Sequence, residues 1–109
     1  MKGAGNFDEH ILERLKTNAR FREAYLNQAL NETERGVALL MFRTVAEALG
    51  GVTRLSKATG LNRQNLYKVL SGKKDPAYST VEGIVHGFGF RMKVEAAGRR
   101  QKERSAIYS

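Results

Sequence analysis

The sequence predicts an all-α fold of five to six short helices, closed by one C-terminal β-strand. Three observations predict it. Apolar residues recur at helical spacing in segment after segment between residues 7 and 88. Only one proline, Pro76, interrupts the chain. The period shortens to two in a single place, from Phe90 to Ala96. At 109 residues the chain is long enough for one modest core. The expected organisation is a helical extension over 1–31, a main domain over 32–97 and a basic flexible tail over 98–109.

The elements follow in order. Asn6, with Glu9 three residues on, has the spacing of a capping box, and Phe7, Ile11, Leu12 and Leu15 form one stripe behind it. Asn18 restarts a helix that carries Phe21, Tyr25, Leu26, Ala29 and Leu30. Thr33 opens a longer helix whose apolar face is Val37, Leu40, Met41, Val45, Ala48 and Leu49, ended by Gly50-Gly51. Two short helices follow, over 52–59 and 62–70, separated by Gly60. Residues 71–76 read as a loop. Ser79 and Glu82 have capping-box spacing before Val81, Ile84, Val85 and Phe88, with Gly87 and Gly89 softening the end of that helix. Phe90, Met92, Val94 and Ala96 then alternate with Arg91, Lys93 and Glu95, the pattern of a half-buried strand. A lone strand has unpaired backbone groups. Its expected partner is the same strand in a second copy or a strand of another protein, which makes Phe90, Met92 and Val94 candidate dimer residues. The other reading is a C-terminal extension packed on the helices.

Charge is distributed unevenly. Residues 1–49 hold 7 basic and 7 acidic side chains, whereas residues 50–109 hold 12 basic and 4 acidic, the whole of the net +8. That asymmetry points to a polyanionic partner for the second half. Cysteine is absent, so neither a disulfide framework nor a thiolate metal site can form, and a reducing cytoplasm is the expected location. No apolar run approaches the roughly 20 residues that span a bilayer. The first six residues lack the apolar core of a secretory signal, so no membrane partner is expected.

One segment, residues 52–71, carries a demanding pattern. Two helices that cross steeply over a short turn need a small residue at the contact, and Ser56 stands there. The turn needs a residue that tolerates positive φ, and Gly60 supplies it. Leu55, Leu61, Leu66 and Val69 fall on the inward positions, and Asn62 can cap the second helix. This is the pattern of a helix-turn-helix. The outward residues suit double-stranded DNA. Arg63, Gln64, Asn65 and Tyr67 are the candidate base contacts, since Arg pairs with guanine and Gln or Asn with adenine. Thr53, Asn62, Lys68, Ser71, Lys73 and Lys74 are the candidate phosphate contacts, which position a protein without reading sequence.

These residues carry a resemblance. Residues 52–73 resemble the lambda-repressor-type (XRE) helix-turn-helix family through Leu55, Gly60, Leu61, Leu66, Val69 and Gly72-Lys73. The match departs at Ser56, usually alanine, at Leu70, often glutamate, and at Thr53, often a phosphate-binding glutamine. Residues 7–97 as a whole are similar to the HigA-like addiction-module antidote proteins. The residues that carry this are Tyr25-Leu26-Asn27-Gln28-Ala29-Leu30, Val45-Ala46-Glu47-Ala48-Leu49-Gly50-Gly51 and the run from Thr59 to Gly72, above all Leu66-Tyr67-Lys68 with Leu70-Ser71-Gly72. That family's acidic stretch before the long helix is reduced here to Glu32 and Glu34. The resemblance implies a homodimeric antitoxin of a type II toxin–antitoxin module. Such a protein represses its own operon at an inverted repeat and neutralises a small RelE/ParE-like toxin. Residues 1–49 would then be free for the toxin, with Arg20, Arg22, Glu23 and Tyr25 as exposed candidates, although Phe21 and Tyr25 also have the spacing of core aromatics.

No enzyme is expected. His10 and His86 are the only histidines, and neither has a second metal ligand at helix spacing other than ordinary carboxylates near His10. There is no nucleophile motif and no phosphate-cradling glycine loop, so no catalytic residue, metal or cofactor is assigned. Two further functions keep the same basic surface. One is a stand-alone transcriptional regulator without a toxin. The other is an RNA-binding or adaptor module, which the lack of exposed aromatics among the basic residues disfavours.

Overall fold

The computed structural model describes residues 7–96. It holds six helices: α1 (Glu9–Thr17), α2 (Ala19–Asn31), α3 (Arg35–Ala48), α4 (Val52–Thr59), α5 (Arg63–Leu70) and α6 (Tyr78–Gly87). The basic tail expected over 98–109 lies outside the described residues, as does Asn6.

Three helix starts differ from expectation for local reasons, and that of α2 agrees. The carboxylate of Asp8 caps α1 and accepts from the His10 and Ile11 amides at 2.8 and 3.3 Å. Asn18 caps α2, with its Oδ1 3.0 Å from the Phe21 amide, as its position predicts. The Ser79–Glu82 box does not form. Ala77 sits at the cap position of α6, so Ser79 is already inside the first turn. Likewise α3 starts after Glu34 rather than Thr33, with no side-chain cap bond.

Helices α3, α5 and α6 end alike. In each, a residue two beyond the cap donates back to the third-last carbonyl: Gly51 to Ala46 (2.8 Å), Lys73 to Lys68 (2.9 Å) and Phe90 to Val85 (3.1 Å). A glycine with positive φ precedes the donor, such as Gly72 at 84° after α5. Gly89 therefore makes a defined stop rather than a soft end. Gly87 has a different task. A Cβ there would lie 2.5 Å from Leu55 Cδ1 and 2.6 Å from Thr59 Cγ2, so only glycine lets α6 lie this close to α4.

One core runs through the described residues. Leu15 of α1 and Leu26 of α2 join Val45, Leu55, Leu66, Val69, Ile84 and Phe88 in a single buried cluster. α4 leaves α3 at 83°, so it turns across that helix rather than continuing it. The predicted stripe of α3 is buried only in its second half. Val37 and Leu40 stay exposed, because the core covers this helix only at Thr44, Val45, Ala46 and Ala48. No single helix among the described residues is long and apolar enough to cross a membrane.

The C-terminal strand is absent. Residues 91–96 run without helix, strand, turn or bend. Phe90 packs against the core and Met92 is half-buried, but Val94 is 98% exposed. The physical reason is that a strand exists only in a ladder, and among the described residues no second extended segment lies beside residues 91–96. Alternation alone cannot supply the partner.

Candidate nucleic-acid interface

The site is built on α5. Eight residues are too few for a helix to persist alone in water. Its stability comes from its inward face and its two ends. Leu66, Val69 and Leu70 are almost fully buried. Asn62 caps the start, with Oδ1 2.9 Å from the Asn65 amide. At the far end the Leu70 carbonyl accepts from the Arg43 guanidinium, and the Gly72 carbonyl accepts from Arg35 at 3.3 Å. Arg35 also pairs with Asp75 at 2.7 Å, on the surface. Positive groups at this end also oppose the negative pole of the helix.

The turn between α4 and α5 is tied by side chains. Ser56 Oγ donates to the Leu61 carbonyl at 2.6 Å. Thr59 Oγ1 donates to the Leu55 carbonyl at 2.8 Å and accepts from the Leu61 amide at 3.1 Å. Gly60, with φ 78°, lets the chain reverse between them. Ser56 thus has a partner across the turn.

With one face sealed, the other presents Arg63, Gln64, Tyr67, Lys68 and Ser71 to solvent. They recur at helical spacing, so they share one side. The Arg63 guanidinium stands 5.6 Å above the Tyr67 ring, which is half exposed. Lys73 and Lys74 are exposed just beyond the helix, and Thr53 is exposed in the first turn of α4. The structure therefore brings Arg63, Gln64, Tyr67, Lys68 and Ser71 together. It also gives three of the candidates, Ser71 among them, internal partners. Asn62 spends its oxygen on the cap. Asn65 is half-buried, and its Oδ1 accepts from Lys74 Nζ at 2.8 Å. Since an ammonium only donates, this contact uses the Asn65 oxygen and not its NH2. Ser71 Oγ donates to the Lys68 carbonyl at 3.2 Å. Phe90, Met92 and Val94 are not part of this surface.

Sequence reasoning missed Arg43 and Arg35 as supports of the site. Their contacts cross 27 and 37 residues, and no local pattern marks such a pair. It also assigned Arg22 to a partner, whereas its guanidinium bonds the carbonyls of Leu15 (2.7 Å), Phe88 (3.2 Å) and Lys16 (3.4 Å) and covers the Phe90 ring. Arg22 is a brace between α1, α2 and the end of α6. Tyr25 is likewise half-buried and packed on the core. Arg20 and Glu23 remain exposed.

Fold and site together define a small helical protein that presents one polar, basic helix on a sealed apolar support. Comparison with known families makes this specific. Residues 6–96 match the family described as "Probable addiction module antidote protein", and the chain belongs to that family. It is also 27% identical over 73 residues to an uncharacterized protein of Haemophilus influenzae, covering 67% of this chain and 74% of that one. No solved structure matches. An antidote acts by countering a toxin, so membership implies a toxin partner in general and a regulatory rather than catalytic role.

Proposed function

We propose that this antidote is a homodimeric, sequence-specific DNA-binding repressor that autoregulates its operon and neutralises a RelE/ParE-like toxin in the cytoplasm. The observation that carries the DNA-binding part is the outward face of α5. Arg63 and Gln64 occupy its first turn, where a recognition helix meets base edges, and Lys68 and Lys73 flank it for phosphates. α4 and α5 form the helix-turn-helix, of the XRE type. In a twofold dimer two such helices enter successive major grooves about 34 Å apart, so the operator is an inverted repeat.

The DNA-binding test is a gel shift on the DNA upstream of the chain's own reading frame. Sequence-specific binding that falls with rising salt is the expected result. Equal affinity for unrelated duplexes overturns specific repression. The toxin-binding test co-expresses the neighbouring small reading frame with and without this chain. Growth arrest relieved by the chain supports neutralisation, and a harmless neighbour favours a stand-alone regulator with the same DNA surface.

A further inference from the structure

Arg63 stands where the fold gives it no local reward. It is the first residue of α5, where a cation opposes the positive pole of the helix, and the first turn holds no acidic residue. Among the described residues its guanidinium has no hydrogen-bond or carboxylate partner. Its neighbour is the Tyr67 ring, 5.6 Å away and one turn further on. Tyr67 is only half exposed, and it borders a small cavity that it shares with Phe7, Val52 and Leu70. The ring is thus placed between the body of the protein and the arginine.

We propose that Tyr67 is a positioning residue for Arg63, and that the base Arg63 reads in each half-site is a guanine. The inference rests on the DNA-binding reading above and deepens it. A ring face attracts a guanidinium through its charge and uses none of its N–H donors. All the donors of Arg63 therefore stay available, two of them as a fork that matches O6 and N7 of guanine. Asn65, in the same turn, is differently placed, because its oxygen is already on Lys74. An unstacked arginine on a helix surface has many rotamers to lose when it docks. Stacking on Tyr67 removes part of that loss before DNA arrives. Tyr67 acts on base discrimination through Arg63 and does not itself touch a base. For a cation on an exposed ring the effect is a ratio of roughly two- to fivefold.

The test is a set of anisotropy titrations with the full chain, its operator, and operators in which one G·C pair at a time is changed to A·T. Tyr67→Leu is expected to lose roughly two- to fivefold of the preference at the same G·C pair that Arg63→Ala affects. Tyr67→Phe is expected to keep that preference, because the phenyl ring retains its face. In the Arg63→Ala background, Tyr67→Leu is expected to add nothing. Equal weakening on every duplex, a loss at a different base pair, or a loss that survives in the Arg63→Ala background overturns the positioning role. A loss in Tyr67→Phe equal to that in Tyr67→Leu assigns the effect to the hydroxyl and overturns the stacking. Any base other than guanine preferred at the pair that Arg63→Ala affects overturns the assignment of the base. A readout without DNA separates the two ways of failing. In the free chain the ring current of Tyr67 is expected to displace the NMR shifts of the Arg63 side chain, and Tyr67→Leu to return them to ordinary values. Undisplaced shifts in a chain that discriminates bases overturn the role of Tyr67 and leave the DNA reading standing. A parent chain that binds all duplexes alike overturns the DNA reading, and this role with it.

Discussion

The two halves of the chain use their cations in opposite directions. In α1–α3 four of the arginines turn to the protein itself. Arg14 covers the Phe21 ring at 4.1 Å, Arg22 braces the ends of α1 and α6, and Arg35 and Arg43 close the end of α5. From α4 to α5 the direction reverses, and Arg63, Lys68 and Lys73 point to solvent. A count of charge finds the first half neutral and the second half strongly basic. The structure adds that much of the first half's positive charge is held on helix ends of the whole fold. The eight-residue α5 can present a polar surface partly because Arg43 and Arg35 of the longer α3 bond the carbonyls at its C-terminal end.

This division makes predictions that separate stability from binding. The shared support gives the largest effect. Leu66 is fully buried beneath α5, so Leu66→Ala should lower unfolding stability in urea by roughly 2–5 kcal/mol. A smaller loss would mean that the core collapses readily around that site. Next comes the inward class. Arg22→Met keeps the aliphatic stem but leaves the Leu15 and Phe88 carbonyls without their donor, at a cost of roughly 1–3 kcal/mol for a buried acceptor. Denaturation should register that loss, while toxin affinity of the folded fraction stays unchanged. A toxin-binding defect without a stability defect would return Arg22 to the partner surface.

The outward class should behave in reverse. Arg63→Ala should reduce discrimination between cognate and altered operators by about 1–3 kcal/mol, with unfolding stability within about 0.5 kcal/mol of the parent. Equal weakening on every sequence would make Arg63 a phosphate contact instead. The smallest effect belongs to the exposed Arg35–Asp75 pair. Asp75→Asn should cost about 0–1 kcal/mol by thermal melting, as surface ion pairs generally do. A larger loss would show that this link governs the end of α5.

What the sequence by itself determined is local. Helix spacing, the Asn18 and Asn62 caps and the glycines after α3 and α5 can all be read within a few residues, because capping and amphipathicity act over that range. The α4–turn–α5 unit was legible for the same reason, and so was the exposure of Arg63, Gln64, Tyr67, Lys68 and Ser71, though not the half-burial of Asn65. The tertiary structure decided which of those residues are free. Lys74 holds Asn65 from nine positions away, Arg43 reaches Leu70 across 27, and Arg22 reaches Phe88 across 66. It decided as well that the first half of the α3 stripe is bare and that residues 91–96 have no ladder. Burial and strand pairing depend on what another part of the chain, or a second chain, brings alongside, and periodicity carries no record of that neighbour.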